Sequence, residues 1–231
     1  MELENKLLES LRLEETYNHF RQLDKNQILE KIIPQVKDMK YIGECKYHVV
    51  NAYEHSLYAL EELECMVKEK NFFPSHLQER IEVYLNTNID NNLTKFQLLK
   101  LGVFLHDIGK PDSNTIDKNG RVHFKGHEIV GEKIALNLGK ELKLSSENIS
   151  ILSKYVKYHM ILLLFYKTND MSKEVLFEKF NILEEDIIGI LLLGYADIVS
   201  TRKLLNPEEN SEIIKTYMNY ILTNYIYRYN R

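Results

Sequence analysis

Apolar residues recur every three or four positions through most of the chain, the spacing that gives a helix one buried face. The pattern predicts helices over residues 3–22, 26–33, 49–69, 75–86, 94–107, 126–142, 146–164, 172–180, 184–203 and 208–228. Several ends carry their own chemistry. Asn92 or Thr94 suits the N-cap of the helix at 94, Ser145 or Ser146 that of the helix at 146, and Pro207-Glu208-Glu209 suits the first turn of the last helix. After His106-Asp107, Gly109 and then Pro111 form a stop signal. The stretch from Pro111 to Lys125 loses the helical period; Asp117–Gly120 has turn chemistry, and Arg121–Phe124 reads as a short extended piece. No repeat, linker or low-complexity block divides the chain. One all-α domain over 1–231 is expected, with its core at about 28–203.

Polar residues break into the apolar stripes of five of these helices. His106 follows Phe96, Leu99 and Val103; His127 leads Val130, Ile134 and Leu138; His159 lies among Ile149, Leu152, Val156 and Leu163. Asp197 shares a face with Ile187, Ile190, Gly194 and Thr201. His55 falls with Ala52, Ala59, Leu63 and Met66, the least sharply defined stripe, because Leu57 and Leu60 are apolar too. Any one of these residues alone is commonly a hydrogen-bonded core residue. Together they imply that several helices aim imidazoles and carboxylates inward, and a buried carboxylate must pair or hold a metal. The mixed nitrogen and oxygen set suits Mn, Fe, Co, Ni or Zn, with Mg also admitted. His19, His48, His76 and His123 read as surface or packing residues.

Composition narrows the class further. With 44% hydrophobic and 28% charged residues, the chain reads as globular rather than disordered. A net charge of −4 gives no general attraction to nucleic acid or an anionic membrane. The longest apolar stretch, Ile187–Ala196, falls short of the ~18 residues that span a bilayer. The acidic N-terminus MELENKLLESLRLEE is unlike a secretory or mitochondrial leader, and Cys45 and Cys65 form no CxxC pair. A cytoplasmic protein with reduced thiols is expected.

The order His55, His106-Asp107, His127, His159, Asp197 resembles the HD superfamily, and FLHDIGKP at 104–111 resembles its HDIG signature. More narrowly, ILEKIIPQVKDMK, YHVVNAYEHSL, GRVHFKGHEIVGEKIA and KYHM are similar to the HD region of bacterial CCA-adding tRNA nucleotidyltransferases, over about residues 28–200. Those enzymes also carry an upstream head with a Gly-rich segment and paired aspartates. The chain contains no Gly-Gly dipeptide and nothing like that head, so nucleotide transfer to tRNA is not expected.

The resemblance implies an all-α, phosphodiesterase-like helical bundle acting as a metal-dependent phosphohydrolase on a nucleotide or other small phosphoester. It implies that His55, His106, Asp107 and Asp197 hold one metal. His127 and His159 match the ligands of a second, with Asp107 bridging. Lys110 matches the basic residue after HDIG, where it would meet a substrate phosphate and offset its charge; by residue type alone it equally fits a solvated lysine. The same six positions resemble those of the HD-type di-iron oxygenases, and a non-catalytic nucleotide- or tRNA-end-binding module is a third reading. Tyrosines crowd the last helix, where Ile214, Tyr217, Ile221 and Tyr225 suit either packing or a homodimer contact.

Overall fold

The computed structural model describes residues 2–42, 49–89, 93–206, 208 and 210–229. Its helices are α1 (Glu2–Ser10), α2 (Thr16–Lys25), α3 (Leu29–Ile32), α4 (Val36–Met39), α5 (Ala52–Lys68), α6 (Ser75–Asn86), α7 (Lys95–Leu105), α8 (His127–Glu141), α9 (Ser146–Tyr158), α10 (Ile161–Thr168), α11 (Lys173–Leu183), α12 (Asp186–Leu205) and α13 (Glu212–Asn224). Two small antiparallel hairpins complete the chain: β1 (Asn88–Ile89) with β2 (Leu93–Thr94), and β3 (Thr115–Ile116) with β4 (Val122–His123). The all-α expectation is met. The extended piece near Arg121–Phe124 is β4, closed by a turn in which Asp117 accepts from the backbone of Asn119 and Arg121.

Helix α7 sits at the centre. Its interior residues from Leu98 to Leu105 are all buried, and α5, α9 and α12 pack around it. A helix apolar on all sides is a core helix. Thr94 starts it with a reciprocal capping box to Gln97, satisfying two backbone donors that would otherwise lie open. Ser145 caps α9 through the Asn148 amide, and Asn51 caps α5 through the Glu54 amide.

Two predicted long helices are broken. The span 3–22 divides into α1 and α2 because the backbone freed between them has partners. The Lys100 ammonium takes the carbonyls of Leu11 and Leu13, while the Thr16 amide donates to Glu64. The span 146–164 divides into α9 and α10 at His159-Met160. The last helix begins at Glu212 rather than 208 and ends in a π-helical turn, Tyr225–Tyr229. Of the stripe read as packing or a dimer contact, Ile214, Ile221 and Tyr225 are buried in the core and Tyr217 is half-buried. His48, Cys45, the cap at Asn92, and Pro207 and Glu209 lie outside the described residues. Among the described residues, no helix is long and apolar enough to cross a membrane.

Candidate metal centre

The five stripe residues and Asp107 meet at one place. His55 comes from the first turn of α5, His106 and Asp107 directly follow α7, His127 opens α8, His159 directly follows α9, and Asp197 lies in the middle of α12. Glycines permit the approach. A Cβ on Gly109 would stand 2.1 Å from the His127 carbonyl and 2.5 Å from the Gly131 amide, so only glycine lets the chain after Asp107 run against the start of α8. Gly131 in turn makes room for Val156 of α9.

Asp107 divides the cluster into two halves. Its Oδ2 faces His55 Nε2 at 3.5 Å and His106 Nε2 at 3.3 Å, while its Oδ1 faces His127 Nε2 at 3.4 Å. On the first side Asp197 Oδ1 lies 2.9 Å from His55 and 3.5 Å from His106. On the second, His159 Nε2 stands 3.2 Å from His127 Nε2. His55, His106 and Asp107 form one group within ligand reach, and Asp107, His127 and His159 another. Lys110 is no solvated lysine. It is buried, and its ammonium lies 2.5 Å from Asp107 Oδ2, with the Phe124 ring nearby.

The donor chemistry tests whether a metal fits. Nδ1 of His106, His127 and His159 points at the backbone carbonyl three residues earlier, at 2.6, 2.8 and 2.7 Å. A carbonyl only accepts, so each Nδ1 carries the hydrogen and each neutral Nε2 presents a lone pair inward. The Nε2 atoms of His127 and His159 face each other at 3.2 Å, and those of His55 and His106 meet at 3.1 Å. Nitrogens at these distances repel unless a proton is shared within each pair or a cation stands among them. Oriented imidazole nitrogens with shared carboxylates suit a divalent transition metal.

The electrostatics follow from the crowding. Burial would lower the His106 pKa, but Asp107 and Asp197 outweigh it and raise the value to about 10. Burial would raise both carboxyls; Lys110 and His106 hold Asp107, and His106 and His55 hold Asp197, well below the usual range. Burial also opposes a raised pKa at His127, where the hydrogen bond to Asp107 prevails. His159, buried and facing His106 and His127, falls to about 3. In the metal-free protein, a proton on His106 and the Lys110 ammonium are therefore the cations that offset the two carboxylates.

Among the described residues, His76 and His123 stay outside the cluster. His76 is exposed and bonded to Thr223, and His123 is half-buried against Asp117. Glu128 is a contact that sequence reasoning missed. Its Oε2 lies 3.5 Å from His127 Nδ1, and adjacency to a candidate ligand was its only signal.

This fold and this cluster define a class. The HD domain family model matches residues 52–179, more than half of the chain, and the chain belongs to the HD domain family, a family of metal-dependent phosphohydrolases. The matched span holds His55, His106, Asp107, His127 and His159; Asp197 lies beyond it. Over 135 residues the chain is 25% identical to the A-adding tRNA nucleotidyltransferase of Deinococcus radiodurans, a stretch that covers 58% of this chain and 25% of that protein. The chain thus spans about a quarter of the length of that relative.

Proposed function

We propose that the chain is a phosphohydrolase with a two-metal centre, acting on a nucleotide or another small phosphoester. The observation that carries this reading is the placement of Asp107, whose two oxygens face two separate sets of inward imidazoles while Lys110 supplies a buried positive charge beside them. His55, His106, Asp107 and Asp197 would hold one ion, and His127, His159 and Asp107 the other. Bound divalent ions supply Lewis acidity and a water activated near neutral pH.

The chain's own residues do the rest. The carbonyls of Val103, Phe124 and Val156 lock three rings so that no reorientation is needed on binding. Burial of the cluster keeps the dielectric low, so Lys110 acts strongly on the phosphoryl oxygens it would face. The Asp197 side chain, 15% exposed against at most 9% for the other five side chains, marks the solvent side from which a substrate would approach.

The test is a panel of mono-, di- and cyclic nucleotides offered to protein loaded with Mn, Co or Ni. Release of phosphate or cleavage of a diester is expected for at least one of them. His106→Ala should bring it to background, and Lys110→Ala should slow it with metal still bound. Fully loaded protein that cleaves nothing would overturn the substrate class, and oxygen uptake by the iron-loaded protein would move the reading to an oxygenase.

A further inference from the structure

One turn below the cluster, a single tyrosine occupies space cleared for it on two sides. Tyr155 of α9 is fully buried. A Cβ on Gly102 of α7 would stand 2.8 Å from its Cδ2, and one on Gly189 of α12 would stand 2.7 Å from its Cε1 and equally close to the Tyr84 hydroxyl that bonds to Tyr155. Glycine inside a helix costs about 0.5–1 kcal/mol relative to alanine, and neither position has left-handed backbone to justify it. Their effect is close approach: α7 and α12 both rest on the two sides of the Tyr155 ring.

All three helices carry candidate ligands. Gly102 lies four residues before His106, Tyr155 four before His159, and Gly189 eight before Asp197, roughly one, one and two helical turns away. The ring is itself fixed. Its hydroxyl meets the Tyr84 hydroxyl at 2.8 Å, and Tyr84 carries the Lys95 ammonium over its ring at 4.6 Å. Lys95 in turn pairs with Glu185 and Asp186 at the start of α12, and Asp186 with Lys154 of α9 at 2.7 Å.

We propose that Tyr155 is a positioning residue of the metal centre, a spacer whose ring sets the separation of α7, α9 and α12 and so the distances among His106, His159 and Asp197. The inference rests on the reading of the cluster as a metal site. Tyr155→Leu thins the spacer and lets the helices close; Gly189→Ala pushes α12 outward; the two changes together oppose each other.

Metal-free protein is titrated with Co(II), whose visible absorption reports ligand geometry. Tyr155→Phe, which keeps the ring, should bind as the native chain does. Tyr155→Leu and Gly189→Ala should each stay helical yet bind about 10–100-fold more weakly, with a changed spectrum, and the double variant should recover part of both, since Tyr84 still meets the added methyl. Phe180→Leu, a fully buried change in α11, controls for lost stability alone. Native Co(II) affinity and spectrum in a folded Tyr155→Leu protein would overturn the proposal, leaving Tyr155 as core packing. Should that variant not fold, Gly189→Ala decides by the same two readouts. Failure of the native chain to bind Co(II) would instead defeat the metal-site reading itself.

Discussion

Helices α5 and α7 carry two buried polar centres, and the two are built on opposite principles. At one, Lys100 and Glu64 lie 2.9 Å apart. The ammonium also reaches the carbonyls of Leu11 and Leu13 and the Thr16 hydroxyl, and the Thr16 amide donates to Glu64. Every one of these contacts joins a donor to an acceptor. The centre ties the break between α1 and α2 to the core and pairs its one ammonium with its one carboxylate, leaving only Glu64 Oε2 without a hydrogen-bond partner among the described residues. At the other, His55, His106, His127 and His159 bring four ring nitrogens together around Asp107 and Asp197. That centre holds together only through protons on its rings or through a metal ion. Burial alone does not separate a structural polar group from a functional one; the match between donors and acceptors does.

The comparison can be broken by substitution. Asp107→Ala should have the largest effect, since it removes the bridge between the halves and leaves Lys110 buried without its partner. Breaking a buried pair costs about 3–5 kcal/mol, so denaturant unfolding should show a loss of that order, and metal titration should show both halves impaired. Lys100→Met should cost a similar amount, about 3–5 kcal/mol, by stranding Glu64, yet leave metal affinity at its native value. Weakened metal binding in Lys100→Met would mean that the two centres are not independent.

A smaller effect, of distinctive sign, is expected at His159. His159→Leu removes one of two facing ring nitrogens and substitutes an apolar side chain. The metal-free protein should be no less stable than native, while it loses the second equivalent of metal. Functional sites commonly hold such unrelieved contacts at a cost in stability. A clear destabilisation of the metal-free variant would show that the His127–His159 contact is cohesive.

The smallest effect is the response to pH. In the metal-free protein the His106 pKa is raised to about 10 from an ordinary 6.5. Its contribution to stability is therefore fully present below about pH 6.5 and is lost as pH rises through about 10. The lowered Asp107 and Asp197 act at the other end, since their contribution is lost as pH falls below the usual carboxylate range. Denaturant midpoints taken from pH 6 to 10 should decline in native metal-free protein and decline less in His106→Ala.

Much of the cluster was legible because helical period exposes a misplaced polar residue. Asp197 was found that way although it lies beyond the matched span, and its neighbours Ile187, Ile190 and Gly194 are buried as the stripe required. The α8 stripe was placed less well. Val130 and Ile134 are half-buried, and the buried face runs through His127, Gly131, Ala135 and Leu138, because close packing there is made by glycine and alanine, which carry little periodic signal. The breaks at 11–15 and at 159–160 were not legible. Neither has glycine or proline, and the groups that capture the freed backbone, Lys100 and Glu64, come from distant parts of the chain. Lys110 shows the same limit, since an exposed and a buried lysine look alike until Asp107 is placed beside one of them.

The central claim is that the convergent imidazoles and carboxylates form a metal centre, and calorimetric titration of metal-free protein with Mn(II) tests it most directly. The account predicts two saturable equivalents per chain in the native and Lys100→Met proteins, one in His159→Ala, and none in Asp107→Ala. No saturable binding by the native chain, or undiminished binding in Asp107→Ala, would contradict it.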